Sequence, residues 1–164
     1  MNPIWKVFDR LLDVMADLSG AILAFICAAV CYTICMRFFF QMTTIWIMQT
    51  TEYALLWIVF LSTAWLLRDK GHIATDLVYE HLGEKAKRWL DGITYSLGGL
   101  ASLVLLYYST AYTYDSIINH VTDVRAVTVP KWSIYIIIPI GTFLLIVQFV
   151  RMAWESFSQA RGGK

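Results

Sequence analysis

Four long apolar segments, separated by short polar connections, constrain the fold of this chain more than any other feature. Leu18–Met36 has nineteen consecutive residues without a charge, and Gly92–Tyr114 has twenty-three. A helix of about 20 apolar residues, rising about 1.5 Å per residue, crosses the roughly 30 Å hydrocarbon core of a bilayer. The chain is 59% apolar and 15% charged, whereas soluble domains are about 45–50% apolar and ~25% charged. We therefore predict an all-α integral membrane protein with four transmembrane helices.

The segments divide the chain into one membrane domain, 1–164, without room for a separate soluble domain. The predicted parts are an amphipathic N-terminal helix over 1–17, spans at about 18–37, 49–67, 92–114 and 131–151, and an amphipathic connector over 68–91. In the N-terminal helix and the connector, apolar residues recur at helical spacing and charges fill the other side, which is typical of helices at the membrane surface. Because Asp9, Asp13 and Asp17 precede the first span, we expect it to be retained rather than cleaved as a signal peptide.

The distribution of basic residues predicts the orientation of the spans. The N-terminal helix, the connector and the tail from Arg151 onwards together hold ten lysines and arginines. The other two connections hold three, namely Arg37, Arg125 and Lys131. Since basic residues accumulate in cytoplasmic segments, we expect both termini and the connector to be cytoplasmic.

Two prolines define the predicted fourth span. Pro130 stands where the span begins, a position that proline favours because the first helical N–H has no intrahelical partner. Pro139 lies inside the span and is expected to bend it, since proline removes a backbone donor and clashes with the preceding turn.

Glu52, near the outer end of the second span, is the ionisable residue that most invites a functional interpretation. An acid within a membrane segment is a candidate transport or proton site. A group so close to the interface can also stay hydrated and pair with a cation. We predict that it pairs with Arg37, which ends the preceding antiparallel span on the same side.

The remaining reactive side chains do not form a recognisable catalytic or metal site. Cys27, Cys31 and Cys35 share one face of the first span and are expected to pack at a helix–helix seam. His72 and Asp76 share a helix face, but no further ligand for a metal is evident, and no histidine lies in a span to bind haem. We expect no enzymatic activity, no cofactor and no nucleic-acid partner. Because the spans offer almost no polar path, we expect a partner protein to hold any transport pathway.

Several motifs together resemble a known family. They are Glu52 followed by the run Trp57–Ala64, the segment Lys70-Gly71-His72-Ile73 with Asp76, and Val129–Ser133 with Ile138–Gly141. The chain resembles the small membrane subunit of tripartite ATP-independent periplasmic (TRAP) transporters. Members of that family typically share three of these features: an acid at the start of the second span, a G-H-I-x-x-D signature and a P-x-G turn. One departure is Thr51, where family members often carry a second acid.

The resemblance implies a function for the chain. It implies a non-catalytic scaffold that forms a heterodimer with a large, elevator-type membrane subunit in the bacterial inner membrane. The complex would import an organic acid, such as a dicarboxylate or a sialic acid, with sodium as the coupling ion and a periplasmic binding protein as the donor. The candidate structural and partner-interface residues are Arg37, Glu52, Trp57, Gly71, His72, Asp76, Arg125, Pro130, Pro139 and Gly141.

Two other functions are compatible with four small spans. One is a self-sufficient proton-coupled exporter that uses Glu52 as its proton site. The other is a membrane anchor for a redox enzyme.

Overall fold

A computed structural model describes residues 3–41, 45–69, 84–125 and 127–161 of the chain. Four of its helices are long and apolar enough to cross a membrane, which confirms the predicted all-α membrane architecture. The elements are α1 (Pro3–Phe40), α2 (Ile45–Asp69), α3 (Glu84–Ile118), β1 (Thr122–Val124), β2 (Thr128–Pro130), α4 (Lys131–Tyr135) and α5 (Ile137–Arg161). The two strands pair as an antiparallel hairpin, with Asp123 opposite Val129.

The first helix differs from the sequence prediction. The amphipathic segment 1–17 and the span 18–37 form one uninterrupted helix, α1, of 38 residues. At about 1.5 Å per residue it is about 57 Å long, well beyond a roughly 30 Å hydrocarbon core. Its N-terminal apolar face packs inside the protein, because Leu12 and Met15 are buried against Leu61 and Ala64 of α2. The apolar residues that predict a surface helix therefore also build the core.

The third helix also extends further than predicted. Residues 84–91, expected to belong to the surface connector, are continuous with the third span in α3. The connector residues 70–83, which include Gly71, His72 and Asp76, lie outside the described residues.

The long helices lie side by side in a single row. Extensive packing joins α1 to α2, α2 to α5, and α5 to α3. The order across the row is therefore α1–α2–α5–α3, with α1 and α3 at the edges. We call this arrangement the helical row. Because the helices do not close around a common axis, most of their apolar surface faces outwards, including Phe25, Leu97 and Tyr107.

Glycines allow the closest approaches within the row. A Cβ placed on Gly141 of α5 would lie 2.6 Å from the backbone oxygen of Phe60 in α2, so only a residue without a side chain fits there. On the other side of α5, the rings of Phe149 and Phe157 cover Gly98 and Gly92 of α3. Small residues at membrane helix contacts are expected, because van der Waals packing drives helix association in lipid.

The predicted break in the fourth span is present. Ile136 separates the short helix α4 from α5. Pro139 has no N–H to donate to the carbonyl of Tyr135, four residues earlier, so the helix is interrupted at this place. Pro130 ends β2 and is the N-cap residue of α4, with extended backbone angles of φ −66° and ψ 126°. Both prolines therefore act where the sequence predicts.

Candidate functional site

The acid of the second span pairs with a loop residue. Arg125 Nη1 donates a hydrogen bond to Glu52 Oε2 at 2.8 Å, and both side chains are more than half exposed. The predicted pairing of Glu52 with Arg37 is therefore wrong. Arg37 lies in the last turn of α1. The β-hairpin that follows α3 folds over the N-terminal end of α2 and brings Arg125 to the carboxylate.

Gln49 attaches the hairpin to α2 through two hydrogen bonds. Its Nε2 donates to the backbone oxygen of Val127 at 2.9 Å, and its Oε1 accepts from the backbone N–H of the same residue at 2.9 Å. The amide thus pairs with Val127 as a neighbouring strand would. The Gln49 side chain is buried, with 5% of the residue exposed.

Tyr53 adds a second attachment one helical turn further along α2. Its hydroxyl donates to Asp123 Oδ2 at 2.6 Å and accepts from Gln49 Nε2 at 2.7 Å. Asp123 Oδ1 also lies 3.5 Å from Arg125 Nε. The carboxylates of Asp123 and Glu52 raise the pKa of the Arg125 guanidinium, which keeps it charged at every physiological pH. We call Gln49, Glu52, Tyr53, Asp123 and Arg125 the outer clamp, a name that follows the orientation predicted from the basic residues.

A second polar cluster joins three helices at the opposite end of the row. Arg151 Nη1 of α5 lies 2.6 Å from Asp9 Oδ1 of α1, and Arg68 Nη1 of α2 donates to the Asp9 backbone oxygen at 3.0 Å. Arg68 also pairs with Asp13 through its Nη2. Glu155 Oε1 accepts from Arg151 Nε at 3.2 Å. We call these five residues the inner clamp.

The inner clamp is partly shielded from solvent. The Arg151 side chain is 18% exposed and the Asp9 side chain 21%. The Arg151 guanidinium also stacks over the ring of Trp5, with its carbon 4.7 Å from the ring centroid. The low exposure of this pair makes it a stronger tie between α1 and α5 than a surface ion pair.

Sequence reasoning missed the inner clamp and part of the outer one. One signal was available: Asp9 and Asp13 stand four residues apart on one helix face, and arginines end the second and fourth apolar segments. For Gln49, the only signal is an amide near the start of an otherwise apolar helix. Of the other predicted site residues, Trp57 packs against the core and Gly141 against Phe60.

The cysteines do not have the predicted place in the packing. Cys27, Cys31 and Cys35 are exposed on the surface of α1. They therefore do not form a seam between helices of this chain.

Hydroxyl side chains in the described spans are largely satisfied within their own helices. Ser96 donates to the Gly92 carbonyl, Ser102 to Gly98 and Thr113 to Ser109. Within the part of the chain that the structure describes, two buried atoms, Thr142 Oγ1 and Gln148 Oε1, have no hydrogen-bond partner. Among the described residues, His, Cys, Asp and Glu form no group of three that could hold a metal ion. The polar groups of the described part of the row are thus gathered mainly in the two clamps and in bonds within single helices.

Comparison with known proteins gives the chain a family. The family model "Tripartite ATP-independent periplasmic transporters, DctQ component" matches residues 26–159, which include α2, α3 and the hairpin of the outer clamp. No curated protein matches the chain. The length of the family match, together with four helices of membrane-spanning length, shows that the chain belongs to the DctQ family and is a small membrane component of a TRAP transporter.

Proposed function

We propose that the chain is the non-catalytic small subunit of a sodium-coupled, binding-protein-dependent importer of organic acids, of the dicarboxylate or sialic acid type. It would lie in a bacterial inner membrane as a single membrane domain with cytoplasmic termini. Family membership supports the transporter component. The excess of basic residues at the end of the row that holds the inner clamp supports the orientation.

The helical row is the observation that carries the scaffold role. A transport pathway needs polar groups that face a shared cavity. In the described spans, most serine and threonine hydroxyls bond to their own backbones, with Thr142 as an exception, and the wide apolar faces of the row point outwards. Such a row enlarges the static surface beside a large membrane subunit, against which an elevator-type transport domain would slide.

The outer clamp supports a role in docking the periplasmic binding protein. Five polar side chains hold the hairpin rigidly against α2, and Glu52 and Arg125 remain more than half exposed. A pre-organised polar surface lowers the entropic cost of binding a partner. The partner-facing roles of Arg37, Gly71, His72 and Asp76 remain proposals that follow from the family resemblance.

The exporter alternative places its proton site at Glu52. A carboxylate that cycles protons across a membrane must be reached from both sides, and coupling acids lie within the membrane interior. Glu52 instead forms an exposed ion pair with a loop arginine at one end of the row. The redox-anchor alternative has no specific support among the described residues, so we favour the scaffold.

Reconstitution tests the scaffold proposal. The large subunit and the binding protein are placed in liposomes with a sodium gradient, with and without this chain, and uptake of a labelled organic acid is measured. We expect uptake only when the chain is present. Full sodium-driven uptake without it would contradict the proposal. Loss of proton-coupled efflux on Glu52→Gln, measured with this chain alone, would support the exporter instead.

A further inference from the structure

One fully buried hydroxyl on α5 is not used by the protein's own hydrogen bonds. Thr142 is 0% exposed, and no described residue bonds to its Oγ1. Other hydroxyls of the described spans, such as those of Ser102 and Thr113, donate to a carbonyl of their own helix. A buried hydroxyl that lacks a partner is strongly disfavoured. The groups that surround Thr142 therefore indicate what it binds.

Thr142 faces α3. Thr142 and Phe149 are seven residues apart on α5, close to two full turns, so they lie on one face. The Phe149 ring covers Gly98 of α3. Further out, the ring of Tyr135 in α4 stacks edge-on against that of Tyr112 in α3, with centroids 5.0 Å apart. These two contacts are fourteen residues apart along both segments, which therefore run antiparallel in one register, with Thr142 midway between the contacts.

Ser109 is the polar residue of α3 that leans towards Thr142. The register puts Leu105 opposite Thr142, and Ser109 follows one turn later. Helical side chains lean towards the N-terminus of their own helix, so on antiparallel helices Ser109 and Thr142 lean towards each other. Ser109 is 9% exposed, and its hydroxyl donates to the Leu106 carbonyl at 3.2 Å. Its oxygen keeps lone pairs that can accept a hydrogen bond.

The proline break adds a backbone carbonyl to this place. Pro139, three residues before Thr142 and its neighbour on the helix surface, has no N–H to donate to the carbonyl of Tyr135. Ile136 keeps helical backbone angles of φ −59° and ψ −26°, so the Tyr135 carbonyl points along the helix towards Thr142. A carbonyl freed within a membrane span needs another donor. Two hydroxyls and one carbonyl therefore converge between α3 and the break.

We propose that a buried water molecule binds between α3 and α5 at the proline break. The water accepts a hydrogen bond from the Thr142 hydroxyl and donates to the Tyr135 carbonyl and to Ser109 Oγ. Buried waters typically make about three hydrogen bonds to otherwise unsatisfied groups, and ordered waters satisfy carbonyls that proline frees in membrane helices. A sodium ion could bind the same oxygens, but all three are uncharged, and an unpaired cation is costly inside a membrane.

The Tyr135 carbonyl can be observed on its own. Tyr135–Ile136 is the only Tyr-Ile pair of the chain, so ¹³C-carbonyl tyrosine and ¹⁵N isoleucine label one peptide bond doubly. The labelled full-length chain is assembled with its unlabelled partner subunit in vesicles, and solid-state NMR measures magnetisation that passes from water to this carbonyl. We expect a water signal at Tyr135 and its loss in Thr142→Val. A wild-type chain without this signal would overturn the site.

A second carbonyl of α5 is the control for general hydration. Phe149–Val150 is the only Phe-Val pair of the chain, and its carbonyl lies inside the uninterrupted part of α5. The same measurement with labelled phenylalanine and valine should give little water signal. Equal signals at Phe149 and Tyr135 would show general hydration of the helix and would overturn a specific site.

Two substitutions at one position test whether the hydroxyl is used. Thr142→Val keeps the shape and removes the hydroxyl, and it should lower the ratio of folded to unfolded chain about tenfold, because the freed carbonyl loses its water. Thr142→Ser keeps the hydroxyl and should retain the water signal at Tyr135. A hydroxyl without any partner would make Thr142→Val neutral or stabilising, and that result would overturn the proposal.

A third substitution tests the link between Thr142 and the break. Pro139→Ala restores an N–H at position 139 that can bond to the Tyr135 carbonyl. In that background Thr142→Val should be within about twofold of neutral, because the two positions are coupled through the water. An undiminished tenfold effect would contradict the bridge.

Salt composition distinguishes water from a cation. Exchange of sodium for choline should leave both the water signal at Tyr135 and the effect of Thr142→Val unchanged. A sodium-dependent change in either would show that a cation occupies the site, and would overturn the assignment to water.

Discussion

Gly141 of α5 lies against the backbone of Phe60 in α2, so closely that a Cβ on Gly141 would approach the Phe60 oxygen to 2.6 Å and its Cβ to 2.8 Å. This contact sets the spacing of the two central helices of the row. It also lies next to the break at Ile136, so the direction of α5 and its distance from α2 are fixed within one and a half helical turns.

Gly141→Ala should destabilise the chain by about 1–3 kcal/mol, because the new methyl meets backbone that cannot rotate away. The unfolding midpoint in detergent, measured by circular dichroism, checks this. The matched control is Gly20→Ala on α1, where a Cβ would meet nothing within 4 Å. That substitution should be neutral or slightly stabilising because alanine favours the helix. Equal effects of the two substitutions would contradict the close α2–α5 contact.

Gln49→Leu should loosen the hairpin from α2. It removes both hydrogen bonds to Val127 and the one to Tyr53, at a net cost of about 1–3 kcal/mol. We expect faster proteolysis within residues 121–130 of the reconstituted chain. Gln148→Leu is the control, because the Gln148 Oε1 is buried without a partner and its removal should be neutral or stabilising. A Gln49→Leu hairpin as resistant as the wild type would rule out the attachment.

Asp9→Asn and Arg151→Gln should each destabilise the chain, since either breaks the least exposed ion pair of the inner clamp and leaves the other charge only its more distant partner, Arg68 for Asp9 and Glu155 for Arg151. The double variant should recover part of the loss, with a coupling energy of about 1 kcal/mol or more in a double-mutant cycle of unfolding free energies. Glu155→Gln, which removes a more exposed partner of Arg151, should cost less than about 0.5 kcal/mol. Strict additivity of the Asp9 and Arg151 substitutions would argue against the inner clamp.

His120→Gly should stabilise the end of α3. His120 adopts a left-handed backbone with φ 46°. The backbone hydrogen bonds Val121 N–H to Ser116 and His120 N–H to Ile117 form a Schellman cap, in which glycine is preferred at this position. The gain should be about 1 kcal/mol, measured by hydrogen exchange of the last turn of α3. Asn119→Gly, the neighbouring control, should not stabilise, because it removes the hydrogen bond to Asp115. Reduced protection in His120→Gly would count against this assignment.

Pro139 and Glu52 illustrate why some features follow from sequence and others do not. The effect of Pro139 is local: a missing N–H and a bulky ring disturb the preceding turn in any helical context, so the break at Ile136 could be predicted. The partner of Glu52 is not local. Arg37 and Arg125 were both available near the same end of the spans. The hairpin, which Gln49 and Tyr53 attach to α2, brings Arg125 to Glu52.

The amphipathic N-terminal segment illustrates a different limit. Its apolar periodicity shows that one face avoids water, but lipid and protein satisfy that preference equally well. Only the packing of Leu12 and Met15 on α2 shows that protein, rather than lipid, covers this part of the face.

The sequence by itself determined four membrane-length helices, the break in the last of them and membership of a transporter family, because these depend on composition, local backbone chemistry and motif. The tertiary structure decided the order α1–α2–α5–α3 and the two clamps. These depend on which apolar faces meet. In lipid, no hydrophobic force selects one pairing over another, so glycine contacts such as Gly141 with Phe60 and a few polar contacts make that choice.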